Sequence, residues 1–352
     1  MPAAPPSLLE VADRVEGRLR SLVEAEQARW AELDPDLVAP LAALGALLAS
    51  GGKRLRPAFC HWGFVGAGGE PDDPRSIDAG AAFELLHAFA LFHDDVMDGS
   101  ATRRGARTTH LAFADRHQDE AWMGEARRFG EGVAILVGDL AFVYADQLLH
   151  GASVQAWEVW SELRIELNVG QYLDILGTAR GERSRVTALR IARYKSGKYT
   201  VERPLHLGAV LAAPERAGEL LPSLSAYGLP LGDAFQLRDD ILGAFGESSR
   251  TGKPVGDDLR EGKPTPMMAI ATGRATKAQG EVLALVGRSE LCPEDVASIQ
   301  SVLVETGALA EVETQIDELA EEALEALDGA DITDDARKAL EELAHYVAWR
   351  EQ

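Results

Sequence analysis

Apolar residues recur at helical spacing along almost the whole chain, and this pattern limits the fold more strongly than any other feature of the sequence. The first such segment covers residues 8–33, and the second covers residues 37–48, where two glycines end it. Comparable segments lie at 55–65, 77–97, 133–150, 154–176, 186–211 and 220–242, and three further helices are predicted up to Trp349, the last of them after a cap region at 331–335. A parallel strand–helix–strand pattern is not found. We therefore predict an all-α fold, a single large helical bundle.

Two polar stretches separate helical segments. Residues 99–109 are basic and are predicted to form an ordered loop, and residues 245–266 are rich in Gly, Asp, Lys and Pro and form the longest loop-like segment. No shift in composition marks a domain boundary. One domain is therefore predicted over residues 1–352, with residues 1–7 as a frayed tail.

Composition supports this fold class and excludes several functions. Ala and Leu dominate the apolar residues and aromatic residues make up only 6% of the chain, which favours helices over sheets. Because 35 basic side chains stand against 57 acidic ones, the formal net charge is −22, and binding to nucleic acid or to an anionic membrane is not expected. The two cysteines, Cys60 and Cys292, do not have metal-ligand spacing. No signal peptide or spanning segment is recognised, so we expect a cytoplasmic protein without stable membrane insertion.

The first acidic cluster lies at the end of the apolar segment 77–97. Asp94 and Asp98 are four residues apart, so their carboxylates lie about 40° apart on consecutive turns of a helix, with Asp95 beside them. Three like charges at a helix C-terminus repel one another and oppose the helix dipole. A hard divalent cation such as Mg²⁺ would offset this charge. The alternative is a solvated acidic helix end in an acidic protein.

A second acidic pair, Asp239-Asp240, follows another apolar helical segment. Two such clusters on apolar helices are harder to explain as solvated surface than one. If the two helices face one cavity, the two clusters would meet there.

Basic residues complete the pattern. Lys53, Arg54 and Arg56 follow a glycine turn, and Arg103 and Arg104 follow the first acidic cluster. Guanidinium groups match phosphate oxygens with two hydrogen bonds, whereas lysine supplies a point charge. Single cations occur at Lys195, Lys198, Lys253 and Lys263, although any one lysine on its own is more often a solvated surface residue. Acidic pairs for a metal and basic clusters for phosphate together predict a site for diphosphate and Mg²⁺.

With these motifs, the chain resembles the trans-isoprenyl diphosphate synthases of the polyprenyl synthetase family, and is most similar to a geranylgeranyl diphosphate synthase. The resemblance covers nearly the whole chain. Its motifs are Gly52-Lys53-Arg54-Leu55-Arg56-Pro57, Leu85-Leu86-His87 through Asp98 with Arg103-Arg104-Gly105, Gln171 with Asp174, Lys195-Ser196-Gly197 with Ser in place of the family's Thr, Gly232 through Asp240, Gly252-Lys253, Asp257-Asp258 and Gly262-Lys263.

The resemblance implies a helical fold around a deep central cavity, usually as a homodimer. It also implies head-to-tail condensation of isopentenyl diphosphate with an allylic diphosphate (dimethylallyl, geranyl or farnesyl). Two or three Mg²⁺ ions would take part, with Mn²⁺ as an alternative ion.

The resemblance also assigns roles to individual residues. The metal ligands would be Asp94, Asp98 and Asp239, supported by Asp95 and Asp240. The allylic diphosphate would be held by Arg103, Lys195, Gln236 and Lys253. Isopentenyl diphosphate would be held by Lys53, Arg56, His87 and Arg104. Further substrate-binding residues would be Gln171, Ser196 and Lys263. His87 has a structural alternative, a core histidine bonded to a backbone carbonyl.

The length of the product is predicted from two positions on the helix that carries Asp94. Phe89 and Ala90 lie five and four residues before Asp94, and the resemblance predicts that one aromatic residue at this pair gives a twenty-carbon product. Packing within the core is the alternative for Phe89.

Gly243 occupies the last position of the second motif, where the family often has a third aspartate. The spacing suggests that an outer carboxylate is lost there rather than a metal ligand.

Other functions remain open from the sequence alone. The same reaction with a farnesyl or longer product is one alternative. A class I terpene cyclase shares the first acidic motif, but its second metal motif does not fit residues 239–243. A non-catalytic regulatory subunit of the same fold usually lacks acidic motifs that this chain retains. A phosphohydrolase dyad at His93-Asp94 has no matching additional histidines.

Overall fold

The computed structural model describes residues 4–181, 184–246, 256–263, 265–288 and 290–350. In that part of the chain, the α-helices are α1 Pro6–Ala31, α2 Val38–Ala49, α3 Leu55–Gly66, α4 Pro74–Met97, α5 Thr109–Asp119, α6 Ala126–Leu148, α7 Val154–Arg180, α8 Arg185–Ala192, α9 Arg203–Ala212, α10 Ala217–Phe245, α11 Asp257–Glu261, α12 Pro266–Arg274, α13 Lys277–Leu283, α14 Pro293–Glu305, α15 Ala308–Asp328 and α16 Asp334–Trp349. A π-helical segment, Arg193–Glu202, connects α8 to α9. Two short strands, β1 Thr102–Arg103 and β2 Ala106–Arg107, pair as an antiparallel hairpin.

The all-α prediction is confirmed. The chain divides into two compact units. The N-terminal unit consists of Leu8–His61 and Glu70–Ala152, and the C-terminal unit consists of Met1–Ser7, Trp62–Gly69 and Ser153–Gln352. The prediction of one domain over residues 1–352 is not tested by this division and stays a prediction, as does the central cavity.

Helix α4 is the centre of the N-terminal unit, where it packs against α6. Asp73 caps its start by accepting a hydrogen bond from the backbone N–H of Arg75, and Pro74 occupies the first turn, where a missing N–H costs nothing. Most of its middle is buried. Gly138 on α6 allows a close approach, because a Cβ there would lie 2.5 Å from the His93 ring. This packing fixes the C-terminal end of α4, where Asp94 and Asp95 lie.

Helix α10 has the same role in the C-terminal unit, where it packs against α15 and the π-helical segment. Its core residues include Ala234, Leu237 and Ile241, which join a cluster with Ile299 and Ile316. Within the described residues, no helix is long and apolar enough to cross a membrane.

Several predicted segments were wrong. Residues 99–109 contain the β1–β2 hairpin rather than only a loop, and α5 was missed altogether. The buried residues of α5 are His110, Ala114 and His117, so its inner face lacks the Leu and Val pattern that predicts helices.

Downstream, the predicted helix 186–211 is interrupted by the π-helical segment, and the described part of 245–266 contains the short helix α11. Five helices, α12 to α16, follow it where three were predicted. Short helices with few apolar positions do not produce a clear period, and this explains the low count.

Candidate functional site

The first acidic cluster occupies the C-terminal end of α4. The backbone N–H of Asp98 donates to the carbonyl oxygen of Asp94 at 2.8 Å, so these residues lie on consecutive turns as the spacing predicted. Asp94 is partly exposed and Asp98 is exposed, whereas Asp95 is only 5% exposed. Because Asp95 is buried, the cluster as a whole does not match a solvated acidic helix end.

Arg103, in strand β1, holds the buried member of this cluster. Its Nε and Nη2 atoms donate to Oδ1 of Asp95 at 2.9 and 2.6 Å. Burial raises the pKa of Asp95, and the Arg103 guanidinium opposes that shift. The hairpin therefore returns the chain so that a cation meets the end of α4, which explains why the arginine pair follows the acidic motif so closely in sequence.

Arg104 contacts the other basic motif of the same unit. Its Nη1 donates to the carbonyl oxygen of Gly51 and to Oγ of Ser50, the latter at 3.1 Å. Its guanidinium lies against Gly52, where a Cβ would be 3.2 Å from Nη2. Gly52 itself has a φ of 155°, and Arg104 has a φ of 52° in the left-handed region. The predicted neighbours Lys53 and Arg104 are thus connected through the glycine turn.

His87 lies two turns before the acidic cluster in a cationic environment. It is partly buried, and burial lowers its pKa well below the usual value, with Arg56, Arg104 and Arg103 adding to the effect. The imidazole is therefore neutral at physiological pH and offers one N–H donor. His87 thus lies near Arg56 and Arg104, which were predicted to bind the same diphosphate; that role stays a prediction.

Arg54 has a different environment from its neighbours in the same motif. It is 4% exposed, its Nη1 pairs with the buried Glu84, and its Nε donates to Glu16 at 3.1 Å. Its Nη2 donates to the carbonyl oxygen of Leu48 at 2.6 Å. Arg54 therefore fixes the glycine turn onto α4. A carboxylate within an apolar helix, Glu84, was the sequence signal for this buried pair.

Lys195 lies in the π-helical segment of the C-terminal unit. Its Nζ donates to Oδ2 of Asp174 on α7 at 2.6 Å. A Cβ at Gly170 would lie 2.5 Å from the backbone N of Lys195, so glycine permits this approach between α7 and the π-helical segment. Gln171, one turn before Asp174, and Ser196, next to Lys195, are both partly buried. Two motifs that are distant in sequence meet here. π-Helical segments are rare and often occur at functional positions.

The second acidic pair lies near the end of α10. Nε2 of Gln236 donates to Oδ1 of Asp240 at 2.7 Å, and Asp240 is 6% exposed. Burial raises the pKa of Asp240 well above its usual value, Gln236 opposes the shift, and the charges of Asp258 and Asp239 add to it. Burial therefore disfavours the charged form of Asp240.

Asp239 has a partner that the sequence did not reveal. Nη2 of Arg350, just after α16, donates to Oδ1 of Asp239 at 2.6 Å and to the carbonyl oxygen of Phe235 at 3.2 Å. The Arg350 side chain is only 1% exposed. A lone arginine near a chain terminus gives no sequence signal for such a contact.

Of the predicted substrate-binding lysines Lys253 and Lys263, the structure describes only Lys263. Lys263 pairs with Asp258 at 3.1 Å and with Glu261. Burial alone would lower the pKa of Lys263, but these two carboxylates outweigh it and raise the pKa. Lys253 lies outside the described residues.

The carboxylates suit Mg²⁺ only in combination with a substrate. Within the described residues, no group of three or more His, Cys, Asp or Glu side chains could hold a metal ion. Asp94 and Asp98 supply a pair of oxygen donors in one unit, and Asp239 supplies another carboxylate in the other. Magnesium is usually bound by one or two carboxylates together with substrate phosphates. Each of these two acidic clusters on its own supplies carboxylate donors that fit Mg²⁺ arriving with a diphosphate.

The proposed product-length positions lie on α4. The Phe89 ring packs against Phe142 of α6, with centroids 4.9 Å apart, and against His93 at 4.6 Å. Phe89 and Ala90 are both partly exposed. Phe89 thus makes packing contacts and also keeps an accessible surface.

Comparisons with known proteins agree with this set of motifs. The family model described as polyprenyl synthetase matches residues 40–303. The chain belongs to the polyprenyl synthetase family. It is a trans-prenyltransferase, so the prediction of the enzyme class is confirmed.

Individual relatives carry different product names. The chain is 32% identical over 314 residues to a geranylfarnesyl diphosphate synthase of Aeropyrum pernix, covering 86% of this chain and 92% of that protein. It is 29% identical to an octaprenyl diphosphate synthase of Escherichia coli, covering 87% and 88%. Its structure matches a geranylgeranyl pyrophosphate synthase of Corynebacterium glutamicum, complexed with isoprenyl diphosphate and magnesium, with a TM-score of 0.90, 38% identity and coverage of 97% and 99%.

Proposed function

We propose that this trans-prenyltransferase joins isopentenyl diphosphate head to tail to an allylic diphosphate and releases diphosphate. One observation carries the proposal: Arg103 is bonded to Asp95, which lies between Asp94 and Asp98 at the end of α4. Carboxylates that suit a hard cation and guanidinium groups that match phosphate oxygens thus occur within one short segment.

The acidic residues would hold magnesium. Asp94, Asp98 and Asp239 are the proposed ligands of two or three Mg²⁺ ions, and Asp95 and Asp240 support them. Bound Mg²⁺ would neutralise the charge that develops on the departing diphosphate. Mn²⁺ is the proposed alternative ion.

Each diphosphate has its own proposed set of residues. The allylic diphosphate would be bound by Arg103, Lys195, Gln236 and Lys253, and further substrate-binding residues would be Gln171, Ser196 and Lys263. Isopentenyl diphosphate would be bound by Lys53, Arg56, His87 and Arg104. Two contacts support this division: Arg104 adjoins the turn before Lys53, and Asp174 orients Lys195.

The proposed reaction needs no protein nucleophile. The allylic C–O bond breaks, its electron pair leaves with the diphosphate, and an allylic cation remains. The alkene of isopentenyl diphosphate then attacks this cation, and the released diphosphate takes the proton that restores the double bond. Apolar side chains such as Phe89 exclude water that would capture the cation.

The twenty-carbon product, geranylgeranyl diphosphate, is the finer proposal. Phe89 supports it as the single aromatic residue at the pair before Asp94. Because the relatives include geranylgeranyl, geranylfarnesyl and octaprenyl diphosphate synthases, family membership alone does not set the chain length.

Product analysis tests the reaction. The purified protein would be given isopentenyl diphosphate with dimethylallyl, geranyl or farnesyl diphosphate, with and without excess chelator. We expect twenty-carbon product from each primer and none with chelator. Full turnover in chelator would contradict the metal role, and cyclic product without isopentenyl diphosphate would indicate a terpene cyclase.

Variants of the basic motif test the assignment of the two diphosphates. Lys53→Ala or Arg56→Ala should mainly raise KM for isopentenyl diphosphate, by about tenfold to a hundredfold, because a charge-assisted hydrogen bond contributes roughly 1.5–3 kcal/mol. Lys195→Ala is the matched comparison and should act on the allylic substrate. The opposite result would reverse the assignment.

A further inference from the structure

Position 243 is the point where the second acidic motif departs from the expected pattern, and the structure shows what takes its place. A Cβ built on Gly243 would lie 1.9 Å from Oδ2 and 2.5 Å from Cγ of Asp258. The carboxylate of Asp258 thus occupies the space in which a side chain at position 243 would begin. Any side chain at position 243 would displace the Asp258 carboxylate from this position.

The location of Gly243 on α10 makes this contact relevant to the site. Gly243 is four residues after Asp239 and three after Asp240, so it belongs to the helix face that carries the acidic pair. We propose that Asp258 completes the second acidic cluster from a neighbouring helix, supplying the carboxylate that Gly243 does not. This proposal rests on the proposed function, because the role of the added carboxylate is to support the binding of a metal diphosphate.

Two features hold Asp258 in this position. Helix α11 packs against α10, and Leu259, the next residue, is 3% exposed and belongs to the apolar core of the C-terminal unit. On its polar side, Asp258 accepts a hydrogen bond from Nζ of Lys263 at 3.1 Å.

Asp258 therefore has a positioning role, and its effect on diphosphate binding should depend on whether Mg²⁺ is present. Without a cation, a carboxylate at this position repels an anionic diphosphate. With Mg²⁺ bound, the same carboxylate would help to position the groups that hold the ion, and outer groups of this kind typically change metal affinity by about 10- to 100-fold. A residue with only a structural role would affect both conditions alike.

The test measures binding of inorganic diphosphate by calorimetry, with Mg²⁺ and with chelator, using the full chain. Asp258→Ala should weaken binding in Mg²⁺ by about tenfold or more and should leave it unchanged or stronger in chelator. Gly243→Asp should also weaken binding in Mg²⁺, because its Cβ would collide with Asp258. The double variant Gly243→Asp/Asp258→Ala moves the carboxylate onto α10 and should return affinity to within about threefold of the wild type.

Two control variants separate the effect of the Asp258 carboxylate from an effect of packing at position 243 and from an effect of changing the partners of Lys263. Gly243→Ala/Asp258→Ala fills the same space without a charge and should not recover affinity. Glu261→Ala removes the other partner of Lys263 and should bind as the wild type does. Thermal unfolding of each variant checks that the fold is retained.

The outcomes discriminate between this inference and the proposed function. Wild-type binding of diphosphate with Mg²⁺ together with recovery in the charge-swapped double variant supports both. Equal losses in Mg²⁺ and in chelator, or a double variant no better than its alanine control, would overturn the role of Asp258 alone. A wild-type protein that does not bind diphosphate with Mg²⁺ would overturn the proposed function itself.

Discussion

At the scale of single residues, Asp98 separates the metal role of the first cluster from its local structure. Asp98 is exposed just after α4 and Asp95 is buried beneath Arg103, so truncation of Asp98 leaves the buried contact intact. Asp98→Ala should lower kcat by about 10²-fold or more, because a group that stabilises transition-state charge is removed. Steady-state kinetics with saturating Mg²⁺ measures this effect.

A carboxylate in a similar local position provides the control for Asp98. Asp119 is also exposed at the C-terminal end of a helix, α5, in the same unit. Asp119→Ala should leave kcat within about twofold of the wild type. Equal losses in the two variants would indicate a general charge effect rather than metal binding.

At the scale of the helices, α4 carries both the proposed metal ligands of the first acidic cluster and the proposed product-length positions. Phe89 packs on Phe142, whereas Ala90 leaves space at the adjacent position. Phe89→Ala should lengthen the product and Ala90→Phe should shorten it toward fifteen carbons, because a ring one turn before Asp94 limits chain growth. Chromatography of dephosphorylated products measures the lengths. Unchanged distributions from two active variants would show that other residues limit the length.

Helix α9 contains a group that makes stability depend on pH. Nη1 of Arg203 donates to Nδ1 of His206 at 3.4 Å, and Nε2 of His206 lies 3.2 Å from the carbonyl oxygen of Leu221, an arrangement that suits a neutral ring. Burial lowers the pKa of His206 to about 3, and Arg203 adds to the effect. An unfolded chain protonates this histidine near pH 6.5, so acid favours unfolding between about pH 6.5 and pH 3.

A substitution of His206 tests whether acid lowers the stability of the folded protein in this range. Each pH unit in that window should cost about 1.4 kcal/mol of unfolding free energy through His206. His206→Gln should therefore flatten the pH dependence by this slope between about pH 6 and pH 4.5. Urea titrations at several pH values measure the change. An unaltered slope would show that His206 is protonated in the folded protein. His61, whose pKa burial lowers to about 4, remains in both proteins and acts in the same direction.

At the scale of the whole molecule, an apolar strip on α7 supports the homodimer prediction. Ile165, Val169, Tyr172 and Ile175 are spaced along one helix face and are 44–63% exposed. Contiguous exposed apolar surface of this kind is typical of protein interfaces. With a net charge of −22, two copies repel each other at a distance, so an apolar contact would have to provide the association energy.

Light scattering tests this interface. The wild type should have the mass of a dimer, and Ile165→Asp should shift it toward the monomer because a charge would be buried at the contact. Val304 on α14 is another exposed apolar residue, 54% exposed, and Val304→Asp should leave the mass unchanged. A monomeric wild type would contradict the homodimer prediction.

A cytoplasmic location also stays a prediction.

The sequence was sufficient to predict the fold class, the long helices and the residue types of the site, because helical periodicity and the spacing of charged residues are local properties. It identified the Asp94 cluster, the arginine pair and the Lys195 motif without a structure. The folded chain was needed to show which groups meet: Arg103 with Asp95, Lys195 with Asp174, and Arg350 with Asp239. It also showed that Asp258 fills the space at Gly243. Such contacts depend on how the chain packs in three dimensions, and helical periodicity and residue spacing do not encode that packing.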